Sequence, residues 1–205
     1  MNQLRVAAIV EGHGEYQSIR LLLTRIWTEL LGGAHLDILR PIRHKRHQLV
    51  KENELKGAIR LAASKLAHAP GPAMPSLIMI LLDADEDRPC ELAPRLLAWA
   101  KEARADLDIV CIAANVEYET WFVAVAESLR KYLNLPANVM PLDAPEQHRL
   151  GKGWVERNFI GGSRYSETQD QPAMTAAMDI ALCRARSPSF DKLCRELEKR
   201  RTAEA

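Results

Sequence analysis

The chain has 205 residues and a formal net charge of +1, so no global attraction draws it to nucleic acid or an anionic membrane, and any such contact has to be local. Hydrophobic residues at 47% and charged residues at 27% exclude a disordered or fibrous chain and make one globular domain the default. Cys90, Cys111, Cys183 and Cys194 are scattered without metal-ligand spacing, which argues against a disulfide framework and a structural zinc site. The first apolar run is too short for a signal-peptide core and no segment reaches membrane-span length, so a cytoplasmic protein with no membrane partner is expected.

In chain order, Leu4 to Val10 suits a buried parallel strand, and Glu15 to Leu31 carries Ile19, Leu22, Leu23, Ile26 and Leu30 at helical spacing before Gly32-Gly33 stops it. Leu36 to Ile42 reads as a second strand, Arg43 to His47 as a basic loop and Leu49 to Ala67 as a second helix. Leu77 to Leu82, the most apolar run, reads as a central strand, followed by "DADED" and a helix over Glu91 to Arg104. A fourth strand is expected over Asp108 to Ala113 and a helix over Glu119 to Tyr132. This alternation predicts a three-layer α/β fold, a mostly parallel four-stranded sheet with helices on both faces. Residues 133–205 are expected as a long loop and two helices, Ala173 to Cys183 and Ser187 to Arg200, packed on the domain formed by 1–132.

In an open α/β sheet the ligand site lies beyond the carboxyl ends of the strands. Glu11, Asp83 and Asp85 stand at such ends. If the first and third strands are neighbours, Glu11 and Asp83 come within roughly 5 Å of each other. Carboxylates that close repel unless a cation neutralises them or one is protonated, and an all-oxygen set favours Mg2+ or Mn2+ over softer metals. Glu15 suits a helix start, and Glu117 or Glu119 brings a further carboxylate to the rim. Glu86 and Asp87 read as solvated charges, Trp121 and Phe122 as core, and His13 as solvent-facing.

The surrounding "IVEGHGE" is a poor phosphate cradle. Gly12-x-Gly14 has Gln17 where a dinucleotide fingerprint needs its third glycine, and two carboxylates would repel a pyrophosphate. The glycines are therefore expected to serve a tight turn. "LGKGW" is no Walker loop, lacking the earlier glycine and the Ser or Thr after the lysine. A nucleotide-sugar transferase using Asp83-x-Asp85 stays open, although it leaves Glu11 without a task.

Glu11-Gly12-x-x-Glu15 after the first strand and Asp83-x-Asp85 after the third resemble the TOPRIM domain of topoisomerases, primases and overcoming-lysogenization-defect nucleases, over residues 4 to about 130. More narrowly, "ETWFVAV" and "SPSFDKL" resemble small stand-alone bacterial TOPRIM-like proteins encoded beside ATPases, although these commonly carry Asp at the position of Val125. The resemblance implies a TOPRIM-like sheet with a C-terminal helical extension and a Mg2+-dependent nuclease, acting in phage defence with an ATPase partner. Carried over, it makes Glu11 the acid/base and a metal ligand, with Glu15, Asp83, Asp85 and Glu119 as further ligands. The substrate would be DNA or RNA. Arg43, Lys45 and Arg46 on the same rim, and Lys152 in the long loop, are expected to meet its phosphates without reading bases. A non-catalytic binding or sensor subunit is the rival, and a homodimer stays open.

Overall fold

The computed structural model describes residues 3–136, 142, 144–160 and 164–202. β1 (Gln3–Val10) and β4 (Ser76–Asp83) are the central strands, and β5 (Ile109–Ala114) an edge strand, of an all-parallel, five-stranded sheet of order β2-β1-β4-β5. Val6 to Val10, Leu77 to Leu82 and all of β5 are apolar because both faces of the sheet are covered, while Arg5 on β1 is met by Asp37 of β2 at 2.5 Å. The expected second strand is met in two pieces, β2 (His35–Ile38) and β3 (Ile42–Arg43), which pair in turn with the two ends of β1. Pro41, which has no N–H for the ladder, stands in the break between them.

Alternate residues of each strand build two cores. Val6, Ala8, Met79, Leu81 and Ile112 face one side, and Ala7, Ile9, Ile78, Ile80 and Cys111 face the other. The second side is closed by α3 (Glu52–Ala67) and α4 (Pro89–Ala103), with the short α2 (Arg46–Leu49) ahead of them. On the first side lie α1 (His13–Arg25), prolonged by a π-turn over Ile26–Leu30, and α5 (Glu119–Ala124). Trp27, Trp121 and Phe122 are fully buried there.

The C-terminal region completes this first layer. The described residues beyond 133 carry four helices where two are expected: α6 (Lys152–Asn158), α7 (Asp170–Ala177), α8 (Ile180–Arg186) and α9 (Pro188–Thr202). The expected helix from Ala173 is divided because Asp179 caps a new one, its side chain accepting the Leu182 N–H at 2.9 Å. α7 docks along α1, where Arg25 donates to the Thr175 and Met178 carbonyls, each at 2.8 Å, at the end of α7. Buried Glu146 serves the start of α9, accepting from the Ser189 N–H at 3.0 Å and from the Ser187 and Ser189 hydroxyls at 2.5 and 2.7 Å. Among the described residues, no helix is long and apolar enough to cross a membrane.

Candidate functional site

The parallel pairing of β1 with β4 brings the first two carboxylates together. Val10 is level with Leu81, so Glu11 emerges beside the end of β4, and the Asp83 N–H donates to Glu11 Oε2 at 3.2 Å. Asp83 is the last residue of its strand; its own Oδ1 accepts the Tyr118 N–H at 2.8 Å, which ties the end of β4 to the segment leaving β5. Glu119 opens α5 in a buried position and accepts the Tyr165 hydroxyl at 2.8 Å. Glu15, in the first turn of α1, is 7% exposed, so it is not a solvated helix-start charge.

The two glycines of "EGHGE" serve close approach rather than a turn. Gly12 has φ −101°, which any residue adopts, but a Cβ there would lie 2.1 Å from Glu15 Oε2. A Cβ on Gly14 would lie 1.6 Å from the amide oxygen of Gln171 on α7. The first glycine thus lets Glu15 fold back over the chain, and the second admits a side chain from the C-terminal region. His13 between them is exposed, as expected.

Burial dominates the electrostatics of the cluster. It raises Glu11 to about 7, partly opposed by the Asp83 N–H and reinforced by Glu15 and Asp85; Arg46 is the cation that moderates it. Glu119 is likewise raised to about 7 by burial, against the favourable hydrogen bond from Tyr165. Asp83 is held well above the ordinary carboxylate range by burial and then by Glu15, Glu11 and Glu119. Glu15 is raised by burial and by Glu167, while the nearby Gln171 amide favours its charged form without reaching hydrogen-bond geometry. Glu11, Glu15, Asp83 and Glu119 therefore form one mutually repelling group.

The "DADED" turn is strained and braced from two sides. Asp85 has φ 47° and Val116, at the corresponding point after β5, has φ 67°. A left-handed β-branched residue is a true outlier. Arg46 donates to the Asp83 and Ala84 carbonyls at 3.1 and 2.8 Å and pairs with Asp85 at 2.9 Å and Asp87 at 2.6 Å. Arg149 donates to the Asp85 carbonyl at 2.9 Å and pairs with exposed Glu86 at 3.0 Å.

Of the four expected phosphate contacts, two are engaged within the protein. Arg46 faces the "DADED" turn, because its planar fork of donors matches the carbonyls and carboxylates that the turn offers. Lys152 pairs with Glu167 at 2.6 Å, and its N–H donates to Glu117 Oε2 at 2.6 Å, so Glu117 caps α6. Arg43, on β3 level with Val10, is half-buried, and Lys45 is exposed; both lie on the acidic rim. Asp85 lies near Glu11 but turns its carboxylate to Arg46. Tyr165, Glu167 and Gln171 escaped sequence reasoning; "RYSETQDQ" is a polar stretch before a helix, and nothing local marks which of its side chains turn inward.

The donors are all oxygen and largely unneutralised, the chemistry of a hard divalent-cation site, although among the described residues no three His, Cys, Asp or Glu side chains already form a group that could hold a metal ion. Fold and site together define a parallel α/β protein with a buried acidic cluster at the carboxyl rim of its sheet. The chain belongs to the family described as a domain of unknown function, DUF4276, whose model matches residues 10–198. No curated protein matches it. Among solved structures it is similar to the C-terminal region of the Burkholderia pseudomallei OLD protein, at 14% identity and a TM-score of 0.39, over 95% of this chain and 98% of that one.

Proposed function

We propose that the protein is a Mg2+- or Mn2+-dependent phosphodiester hydrolase of TOPRIM type acting on nucleic acid. The observation that carries this reading is that the Asp83 backbone N–H donates to the Glu11 carboxylate at 3.2 Å, with Glu11, Glu15 and Glu119 all close enough to raise the Asp83 carboxyl. A divalent ion bound there would polarise a phosphodiester and neutralise the developing charge. Glu11, Glu15, Asp83 and Glu119 are the residues to hold it, with Asp85 joining when released from Arg46. The motif resemblance makes Glu11 the acid/base residue as well, and without a cation its carboxyl is raised to about 7 by burial. Arg43 and Lys45 stand on the rim where a phosphate backbone would pass. The motif resemblance adds an ATPase partner and a role in phage defence as the setting.

The test is incubation of purified protein with single- and double-stranded DNA and RNA in Mg2+ or Mn2+, beside Glu11→Gln and Asp83→Asn. Cation-dependent cleavage lost in both variants is expected; absence of cleavage by the unaltered protein would overturn hydrolysis. The Arg46–Asp85 pair at 2.9 Å favours a second reading, a sensor subunit whose acidic pocket is held closed, and that reading gains if cations bind without cleavage.

A further inference from the structure

Gln171 lies inside the protein, fully buried on α7, with neither its amide oxygen nor its amide nitrogen hydrogen-bonded. Buried amides are rarely left so, and each one calls for an explanation such as an ion or a water that completes it. Its place is specific. The amide oxygen sits in the gap left by the missing Cβ of Gly14, next to Glu15 in the chain. Ser18, one turn along the same face of α1, is also fully buried with an unpartnered hydroxyl. An apolar side chain would fill this space without leaving polar atoms unmet. A glycine on one helix thus makes room for an unsatisfied amide on another, at the edge of an oxygen-rich acidic cluster.

We propose that Gln171 is a neutral member of the cation site, its amide oxygen a ligand supplied by the C-terminal region beside Glu15. This rests on the divalent-cation reading above. An amide oxygen adds a hard donor without adding to the repulsion among Glu11, Glu15, Asp83 and Glu119. It also gives the C-terminal helices a part in the site, so that the cation forms a bridge between α1 and α7.

The test is titration of Mn2+ alone by calorimetry and by loss of the free Mn2+ electron paramagnetic resonance signal, with melting curves in EDTA and in Mn2+. The proteins are the unaltered chain, Gln171→Met, Gly14→Ala and, as reference, Glu11→Gln. Met matches the length of Gln without its polar atoms; a Cβ at 14 displaces the amide end of Gln171 and also presses on Glu167 Cβ at 3.1 Å, but meets no carboxylate oxygen. Both should weaken Mn2+ binding about tenfold or more, while Gln171→Met melts in EDTA at or above the unaltered protein. Equal Mn2+ affinity in the unaltered chain, Gln171→Met and Gly14→Ala, beside a loss in Glu11→Gln, would overturn the role of Gln171 and leave the acidic cation site standing. No Mn2+ binding by the unaltered chain would overturn both. If Gln171→Met does not fold, Gly14→Ala decides the question.

Discussion

The Asp85 N–H donates to the Val116 carbonyl at 2.8 Å, and this bond joins two left-handed residues at neighbouring strand ends. It holds the "DADED" turn against the loop that carries Glu117 and leads into Glu119 at the start of α5. Strain in one loop is thus sustained by its contact with the other, and both belong to the acidic rim.

Val116 is half-buried at φ 67°, a conformation that costs a β-branched residue on the order of 1–3 kcal/mol. Asn tolerates it far better. Val116→Asn should therefore raise the unfolding free energy by about 1 kcal/mol, read from urea midpoints at unchanged slope. A fall in stability would mean that side-chain packing outweighs the backbone strain.

Gly12→Ala separates the site from the fold. The backbone accepts Ala, yet its Cβ would fall 2.1 Å from Glu15 Oε2 and push that carboxylate out of the cluster. The melting temperature should stay close to that of the unaltered chain. Mn2+ affinity should drop, and any cleavage should fall on the order of 100-fold, as displacement of a site residue by about 1 Å does.

The pH dependence has a definite sign. Glu119 rises from an ordinary 4.5 to about 7, so between those values the folded state binds more protons than the unfolded one. Its contribution is fully present below about 4.5 and is lost as pH rises through 7. That loss is on the order of 3 kcal/mol when complete. Glu11, also raised to about 7, acts in the same direction, reduced by its partial exposure. Melting temperature in EDTA should therefore fall from pH 5 to pH 8, Mn2+ should restore it at pH 8, and Glu119→Gln should flatten the profile. A pH-independent melting temperature in EDTA would contradict the buried, repelling cluster.

Glu146→Ala tests the anchoring of α9. It removes the carboxylate that meets the Ser189 N–H and two hydroxyls in a buried place, which should cost about 2–3 kcal/mol. For a chain of this size the melting temperature should fall by roughly 5–10 °C. Glu146→Gln, which keeps an acceptor, should recover part of the loss.

β1, β4 and β5 were legible because burial on both faces imposes continuous apolar runs, a purely local pattern. Placement of Glu11 and Asp83 followed from that pattern with one further condition, that their strands be neighbours, which the β1–β4 pairing meets. The break at Pro41 was open to reading from proline's missing donor, yet Leu36, Ile38, Leu39 and Ile42 on either side of it read together as one strand. The start of α6 was not legible, because the Glu117 carboxylate that meets its N–H lies 35 residues earlier.

The sequence by itself determined the layered α/β class, the carboxylates at the strand ends and the burial of Trp121 and Phe122, since each depends on periodicity or on the end of an apolar run. Only the tertiary structure decided that Arg46 faces the "DADED" turn, that Tyr165 meets Glu119, and that the glycines of "EGHGE" accommodate Glu15 and Gln171. Those relations depend on which polar head enters which gap once distant segments pack. Local spacing carries no record of a gap that forms only when α7 meets α1.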